Sequence, residues 1–259
     1  MCILFIALKV LPQYPLIICA NRDESHHRPT KKAHFWEPEK KILAGKDLEA
    51  GGTWLGINKQ GNIAAITNIR IPEQSKQPKK TRGELPILAL TQSSPLISPS
   101  WLKKNNHQYQ AFNLLYGHYQ SLHCYNSQTQ KDTCLSPGFH AISNGALDEI
   151  WPKMAKGNHA LEQYLNSHSK PIPSELLMLL TDPQQAEDKY LPHTGISLDW
   201  ERLLSSIFIK HPKYGTRSSN IILINQQQHV SFTEVRFNKL GQQIEQQEFQ
   251  LSLEAKQSL

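Results

Sequence analysis

With 259 residues, of which 39% are hydrophobic and 19% charged, the chain has ample material for a core and excludes a disordered or fibrous protein. The net charge of +6 comes from scattered pairs such as Lys31-Lys32, Lys79-Lys80 and Lys103-Lys104. No arginine-rich helix or basic-aromatic stripe accompanies them, so nucleic acid is not an expected partner; acidic ligands and peripheral contact with an anionic membrane stay open.

Cys2–Val10 and Pro15–Ala20 are almost continuously apolar, which predicts two short strands covered on both faces, joined by a turn near Leu11–Tyr14. Thr53–Asn58 and Ile63–Asn68 predict a hairpin across Lys59-Gln60-Gly61-Asn62. Ile71–Lys80, with two prolines, reads as a surface loop. Thr81-Arg82-Gly83-Glu84 has capping-box spacing ahead of a helix, and a second short helix is expected from Ser98-Pro99. Strands are expected at Phe112–Tyr116, Ser121–Tyr125 and Phe139–Ser143. Helices follow at Pro152–Leu165, Ser174–Leu180 and Trp200–Phe208. Ser219–Ile224, His229–Phe237 and Ile244–Leu253 close the chain as strands, with the Gln-rich tracts as solvated turns or edge faces. With no repeat and no linker, residues 1–259 are expected to form one layered α+β domain.

Cys2 carries the chemistry. Once Met1 is trimmed, a thiol and a free α-amine sit on one residue, with ordinary pKa values of about 8.5 and about 7.7–8.0, so proton exchange between them is nearly isoenergetic. The plain alternative is a small apolar residue opening a buried strand. Asn21-Arg22-Asp23-Glu24 follows the second strand and is either a solvated turn or a strand end that brings Arg22 and Asp23 beside Cys2. There an arginine would favour thiolate and an aspartate could hold the α-amine.

The four cysteines lack CxxC spacing, which argues against zinc. Cys124 and Cys134 could pair across a hairpin or stay reduced, as suits a cytoplasmic chain. Lys9 and the lack of a basic start argue against a secretory signal, Ile18 is too bulky for a lipoprotein cut before Cys19, and no run reaches about 18 apolar residues. Glu49-Ala50-Gly51-Gly52-Thr53 could cradle an anion, or form a tight strand entry that packs Trp54 over a pocket. His26-His27 could ligate a metal or haem, or lie exposed.

Asn21-Arg22-Asp23-Glu24 after a Cys2-led strand resembles the signature of the NRDE, or transport and Golgi organisation 2, family. The likeness continues in Arg28-Pro29-Thr30, Leu43–Gly56, Thr67-Asn68, Arg82-Gly83-Glu84, Ser143-Asn144-Gly145, Leu203–Phe208 and Tyr214–Ser218. The family is in turn similar to N-terminal-nucleophile hydrolases of the choloylglycine group. That resemblance implies a four-layer αββα sandwich of two antiparallel sheets and a site of Cys2, Arg22, Asp23, Asn68, Asn144 and Arg217. Arg22 and Asp23 are adjacent here, where the amidases separate theirs, and neighbouring strand residues point to opposite faces. Both reach Cys2 only if the strand ends or bulges.

Two functions follow as expectations. One is a cysteine amidohydrolase of a non-peptide amide, needing no cofactor, with Asn68 and Asn144 as oxyanion donors; losing one such donor costs about 10²–10³ in rate. Asn144-Gly145 is equally an ordinary turn pair. The other, implied by the resemblance, is a non-catalytic carrier of haem, lipid or acyl-coenzyme A linked to membrane and Golgi organisation.

Overall fold

The computed structural model describes residues 2–36, 41–71, 80–91 and 97–254. Thirteen named strands among them form two sheets. The first contains β1 (Cys2–Leu11), β2 (Tyr14–Ser25), β10 (Gly138–Ile142), β11 (Tyr214–Ile224), β12 (His229–Phe237) and β13 (Gln243–Ser252), in the order β10-β1-β2-β11-β12-β13. The second runs β3 (Thr30–Phe35), β4 (Ile42–Asp47), β5 (Leu55–Asn58), β6 (Asn62–Asn68), β7 (Phe112–His118), β8 (Ser121–Asn126) and β9 (Lys131–Cys134) in sequence order. Neighbouring strands pair antiparallel in both.

β1 and β2 are apolar throughout because they are covered on both sides. Leu4, Ile6, Leu8, Leu16 and Ile18 join the core between the sheets. Ile3, Phe5, Ala7, Ile17 and Cys19 pack under the helices α3 (Pro152–Ser167) and α4 (Pro173–Leu180). A Cβ on Gly157 of α3 would lie 2.0 Å from the Phe5 ring, so this glycine sets how closely the helix approaches. On the far side of the second sheet, α1 (Glu84–Leu90) places Leu90 against Ile42, Ala44 and Ala64. The layers are therefore helix, sheet, sheet, helix: the expected αββα sandwich.

Several expectations change in detail. β2 runs to Ser25 instead of stopping at Ala20. It lies between β1 and β11, so its polar end is paired on both edges and Asn21–Glu24 is strand, not turn. β3, β4 and β9 were not anticipated; they are short and rich in charged residues, glycine or threonine. The capping box does not form: Gly83 is the N-cap without a side-chain bond, and the Glu84 carboxylate takes the Tyr109 hydroxyl instead. In contrast, Ser98 does cap α2 (Pro99–Asn105), accepting from Trp101 N at 3.1 Å. The helix expected to reach Phe208 is α5 (Leu198–Leu204) and ends earlier. Most of the loop expected at Ile71–Lys80 lies outside the described residues.

His140 of β10 is buried, with Nδ1 2.7 Å from Asp148 Oδ2 and Nε2 2.8 Å from the Ser136 carbonyl. Two acceptors on two ring nitrogens favour the imidazolium, and the Asp148 hydrogen bond raises the ring above its ordinary value against the effect of burial. A raised folded pKa means stability present in full below about 6.5 and lost as pH climbs through the folded value. The gap in melting temperature between the wild type and His140→Ala is accordingly expected to be wider at pH 6 than at pH 9. Equal gaps in melting scans at the two pH values would refute this.

Candidate active site

The register of β1 and β2 places the first two residues of the site. Leu4, Ile6 and Leu8 face the second sheet, so Cys2, two residues before Leu4, faces it too and packs at the edge of that core. By the same alternation Leu16, Ile18 and Ala20 put Arg22 on this face, and Cys2 pairs with Arg22 across the strands. Thiol and guanidinium therefore stand side by side at one end of the sandwich. Asp23 points to the opposite, helix-covered face, as does Asn21, whose Nδ2 donates to Leu180 O at 2.8 Å and Ile207 O at 2.9 Å. The strand does not end here. The irregularity lies in β11, between Thr216 and Ser218, and lets Thr216 Oγ1 donate to Asp23 Oδ1 at 2.7 Å.

A cavity of about 380 Å³ opens beside Cys2. Its walls include Arg22, Asp23 and Glu24 from β2, Asp47 from β4, Ile66 and Asn68 from β6, Thr53 and Trp54 before β5, and Lys80–Gly83 before α1. The Arg22 guanidinium lies 4.5 Å from the Trp54 ring centroid, a cation–π contact. Its Nη2 is 3.8 Å from Asp47 Oδ2 and 4.0 Å from Glu24 Oε2, while buried Nη1 has no hydrogen-bond partner among the described residues. Burial alone would raise the Asp47 carboxyl. The Arg28 hydrogen bond at 2.7 Å and the amides of Glu49 and Ala50 outweigh it, holding the group below its usual range.

Gly51-Gly52-Thr53 proves to be the tight strand entry. A Cβ on Gly52 would lie 2.4 Å from the Gly83 carbonyl carbon, and Thr53 N donates to Gly83 O at 3.0 Å. Two cavity walls thus touch backbone to backbone, and Trp54 is set against Arg22.

Burial pushes the Cys2 thiol up, Asp23 adds to this, and Arg22 acts against it. Burial also raises Asp23, opposed by Lys153, the Thr216 hydroxyl and Arg22. Burial dominates for Cys19, raised far out of the working range, and for Cys124, pushed up to about 12.

Of the six candidate residues, Cys2, Arg22, Asp23 and Asn68 line the cavity. Asn144 stands behind the wall, fully buried: its Nδ2 donates to the Asn68 carbonyl at 2.9 Å and its carbonyl accepts from Arg70 N at 2.8 Å. With its amide committed in this way it supports Asn68 rather than facing the cavity. Arg217 sits in the β11 irregularity, where Nη1 donates to Ser25 O at 2.8 Å and Arg28 O at 3.3 Å. It braces the turn after β2 and is not a wall residue.

Residues passed over at the sequence level include Asp47, Arg82 and Lys153. Arg82, half-buried, lines the cavity and donates to Ala111 O at 3.0 Å. Its signal was hidden in a tetrapeptide read as a helix cap. Lys153 had a visible signal: it heads the stripe Lys153, Gly157, Leu161, Leu165, all buried in α3.

The histidine pair splits, with His26 Nε2 2.9 Å from His211 O and His27 exposed. Among the described residues no three His, Cys, Asp or Glu side chains converge as a metal set, and no helix is long and apolar enough to cross a membrane. The four cysteines are free thiols. Cys134 stands opposite His123, one residue from Cys124, so the two sulfurs leave opposite faces of the sheet.

A family model described as Transport and Golgi organisation 2 matches residues 1–239. The Transport and Golgi organization protein 2 homolog of Bos taurus is 34% identical over 261 residues, covering 90% of this chain and 92% of its own. The Homo sapiens homolog is 34% identical over 258 residues with the same coverage. Among solved structures, the mutant C2A conjugated bile acid hydrolase from Clostridium perfringens superposes with a TM-score of 0.53 at 9% identity, covering 98% of this chain and 92% of that one. At that identity the likeness is one of fold.

Proposed function

The chain belongs to the transport and Golgi organisation 2 family, and on that premise we propose that it is a cysteine hydrolase of a non-peptide amide. The observation that carries this reading is the side-by-side placement of Cys2 and Arg22 on one face, at the edge of a 380 Å³ cavity that Asn68 also lines. A fold shared with a bile acid hydrolase supports it.

In this scheme Met1 is removed and the freed α-amine of Cys2 takes the thiol proton. Sγ attacks the amide carbon, and the negative charge on its oxygen is met by the Asn68 carboxamide, held from behind by Asn144. The C–N bond breaks as the α-ammonium returns its proton to the departing amine. Water then adds to the thioester on Cys2, the α-amine again serving as base, and the carboxylic acid leaves with the thiol restored. Arg22 favours the thiolate through charge. Asp23, on the other face of β2, holds the α-amine from the helix side.

The carrier reading has less support. Arg22, Asp23, Glu24, Arg28, Asp47, Lys80 and Arg82 all line the cavity, and such walls do not offer haem two flat apolar faces. They suit a small polar amide or acyl group.

The test combines an intact mass with a panel of acyl 4-nitroanilides. The expected result is a chain lacking Met1, release of 4-nitroaniline, and an acyl mass on the Cys2 peptide. A chain without Met1 that neither releases the amine nor gains the mass would remove this reading.

A further inference from the structure

Arg22 acts on the thiol by charge alone, which leaves its hydrogen bonds unassigned. The side chain is 5% exposed, yet Nη1 has no hydrogen-bond partner among the described residues. Nη2 lies 3.8 Å from Asp47 Oδ2 and 4.0 Å from Glu24 Oε2, both beyond hydrogen-bond length. Asp47 is held away from it: Oδ2 takes Arg28 Nε at 2.7 Å, and Oδ1 takes the amides of Glu49 and Ala50. Glu24 is tied through Oε1 to Ser25 N at 2.8 Å. The charge of Arg22 is thus balanced at a distance while its buried donor is not met. Buried donors in folded proteins are nearly always met, and a guanidinium fork fits the two oxygens of a carboxylate.

The guanidinium is also fixed in place. It lies 4.5 Å from the Trp54 ring centroid, and that ring is seated on Gly45, where a Cβ would come within 2.3 Å of it. Trp54 Nε1, in a side chain 9% exposed, is a second donor without a partner among the described residues. Lys80 and Arg82 add cations on other walls of the same cavity. Against them stand Glu24, Asp47, which Arg28 neutralises, and Asp23, whose carboxylate faces the helix side. Cys2 is the cross-strand partner of Arg22, which sets their Cβ atoms about 4.5–5.5 Å apart. An anion held by Arg22 therefore lies close to Sγ.

We propose that Arg22 is the receptor for a carboxylate that the substrate carries near its scissile amide, which makes the cavity selective for anionic amides. The inference deepens the amide-hydrolase reading and rests on it for the fate of the captured molecule.

The experiment is alkylation of Cys2 at pH 7 by iodoacetate and by iodoacetamide, read from peptide masses. The reagents carry a carboxylate and a neutral amide on the same reactive carbon. In both, Sγ displaces iodide to form a C–S bond, and the thiol proton passes to solvent. Exposed Cys134 of the same chain is the reference thiol. The iodoacetate-to-iodoacetamide rate ratio cancels any difference in thiolate content. It is expected to be about tenfold higher at Cys2 than at Cys134, the effect of one charge-assisted hydrogen bond. Arg22→Met should bring the Cys2 ratio down to that of Cys134; Arg22→Gln replaces it if a melting curve shows it unfolded. In the wild type, succinate should slow iodoacetamide at Cys2 more than neutral succinamide does. Turnover then locates the carboxylate: succinic mono-4-nitroanilide carries it on the acyl side, and butyryl-5-amino-2-nitrobenzoate on the amine side. One of the two should be cleaved faster than butyryl 4-nitroanilide. Equal ratios at the two cysteines overturn the inference, as does a ratio unchanged in Arg22→Met or equal protection by succinate and succinamide. Butyryl 4-nitroanilide cleaved as fast as both carboxylates overturns it too. A raised ratio at Cys2 without any amide turnover keeps the carboxylate receptor and removes the hydrolase reading, so the two failures are told apart.

Discussion

Cys2→Ala is expected to abolish 4-nitroanilide cleavage, a loss of about 10⁴-fold or more of the kind seen when a covalent nucleophile is removed. The fold should survive, because Cys2 is only partly buried and sits at the edge of the inter-sheet core rather than within it. A chain whose α-amine is capped by an uncleaved N-terminal tag should fail as completely, since the thiol would remain but its base would not. The measurement is 4-nitroaniline release by both variants, alongside a melting curve for each. Turnover in Cys2→Ala above a tenth of wild type would end the nucleophile assignment. A companion change tests the neighbour: Arg22→Met removes a cation that opposes the effects of burial and Asp23 on the thiol. The Cys2 pKa should then rise, and acylation at pH 7 should fall by about tenfold for each unit.

Glu201→Ala is expected to cost about 3–5 kcal/mol of stability, because it takes a carboxylate partner from a buried guanidinium. Arg70 Nη1 is 2.7 Å from Glu201 Oε2, and both side chains are below a tenth exposed. Burial lowers Arg70 and Glu201 restores its charge, so removing the carboxylate leaves the cation in a poorly solvating site. Arg70 also donates its backbone N–H to Asn144 O and stacks 5.5 Å from the Trp151 ring. The pair thereby ties the end of β6 to α5 and to the support of Asn68. Denaturant unfolding of Glu201→Ala measures the cost. The double variant Arg70→Met/Glu201→Leu should recover much of it, since an apolar pair needs no desolvation of charge. A cost below about 1 kcal/mol for the single change would place the pair among weak surface bridges instead.

The fold was legible where burial on two faces writes itself as an unbroken apolar run. β1 and β2 are such runs, and the Gly61 turn between β5 and β6, at φ +81°, is the hairpin its sequence announced. Two of the three strands that went unread, Thr30–Phe35 and Lys131–Cys134, lie at the two edges of the second sheet. With one neighbour each they carry polar residues that resemble a loop. In the site, Cys2 was readable from the apolar strand it opens, whereas Arg22 was expected beyond a strand ending at Ala20 and its facing followed only once β2 proved to run to Ser25. Asn144 and Arg217 came from family resemblance, and the structure sets both behind the wall, because their donors are taken by backbone carbonyls brought up from distant segments.

The sequence by itself determined the chemistry on offer: a thiol at the second residue, an apolar strand to carry it, and an arginine and an aspartate just after a second apolar run. Only the tertiary structure decided who meets whom. Asp23 is sent to the helix side, the Gly52 and Gly83 backbones close a wall, and Lys153 of α3 is buried against Asn144 behind Asn68. The physical reason is that local periodicity dictates which way a side chain points, whereas charge, burial and pKa depend on what packs opposite. Those neighbours come from elements well separated along the chain, which no local pattern records.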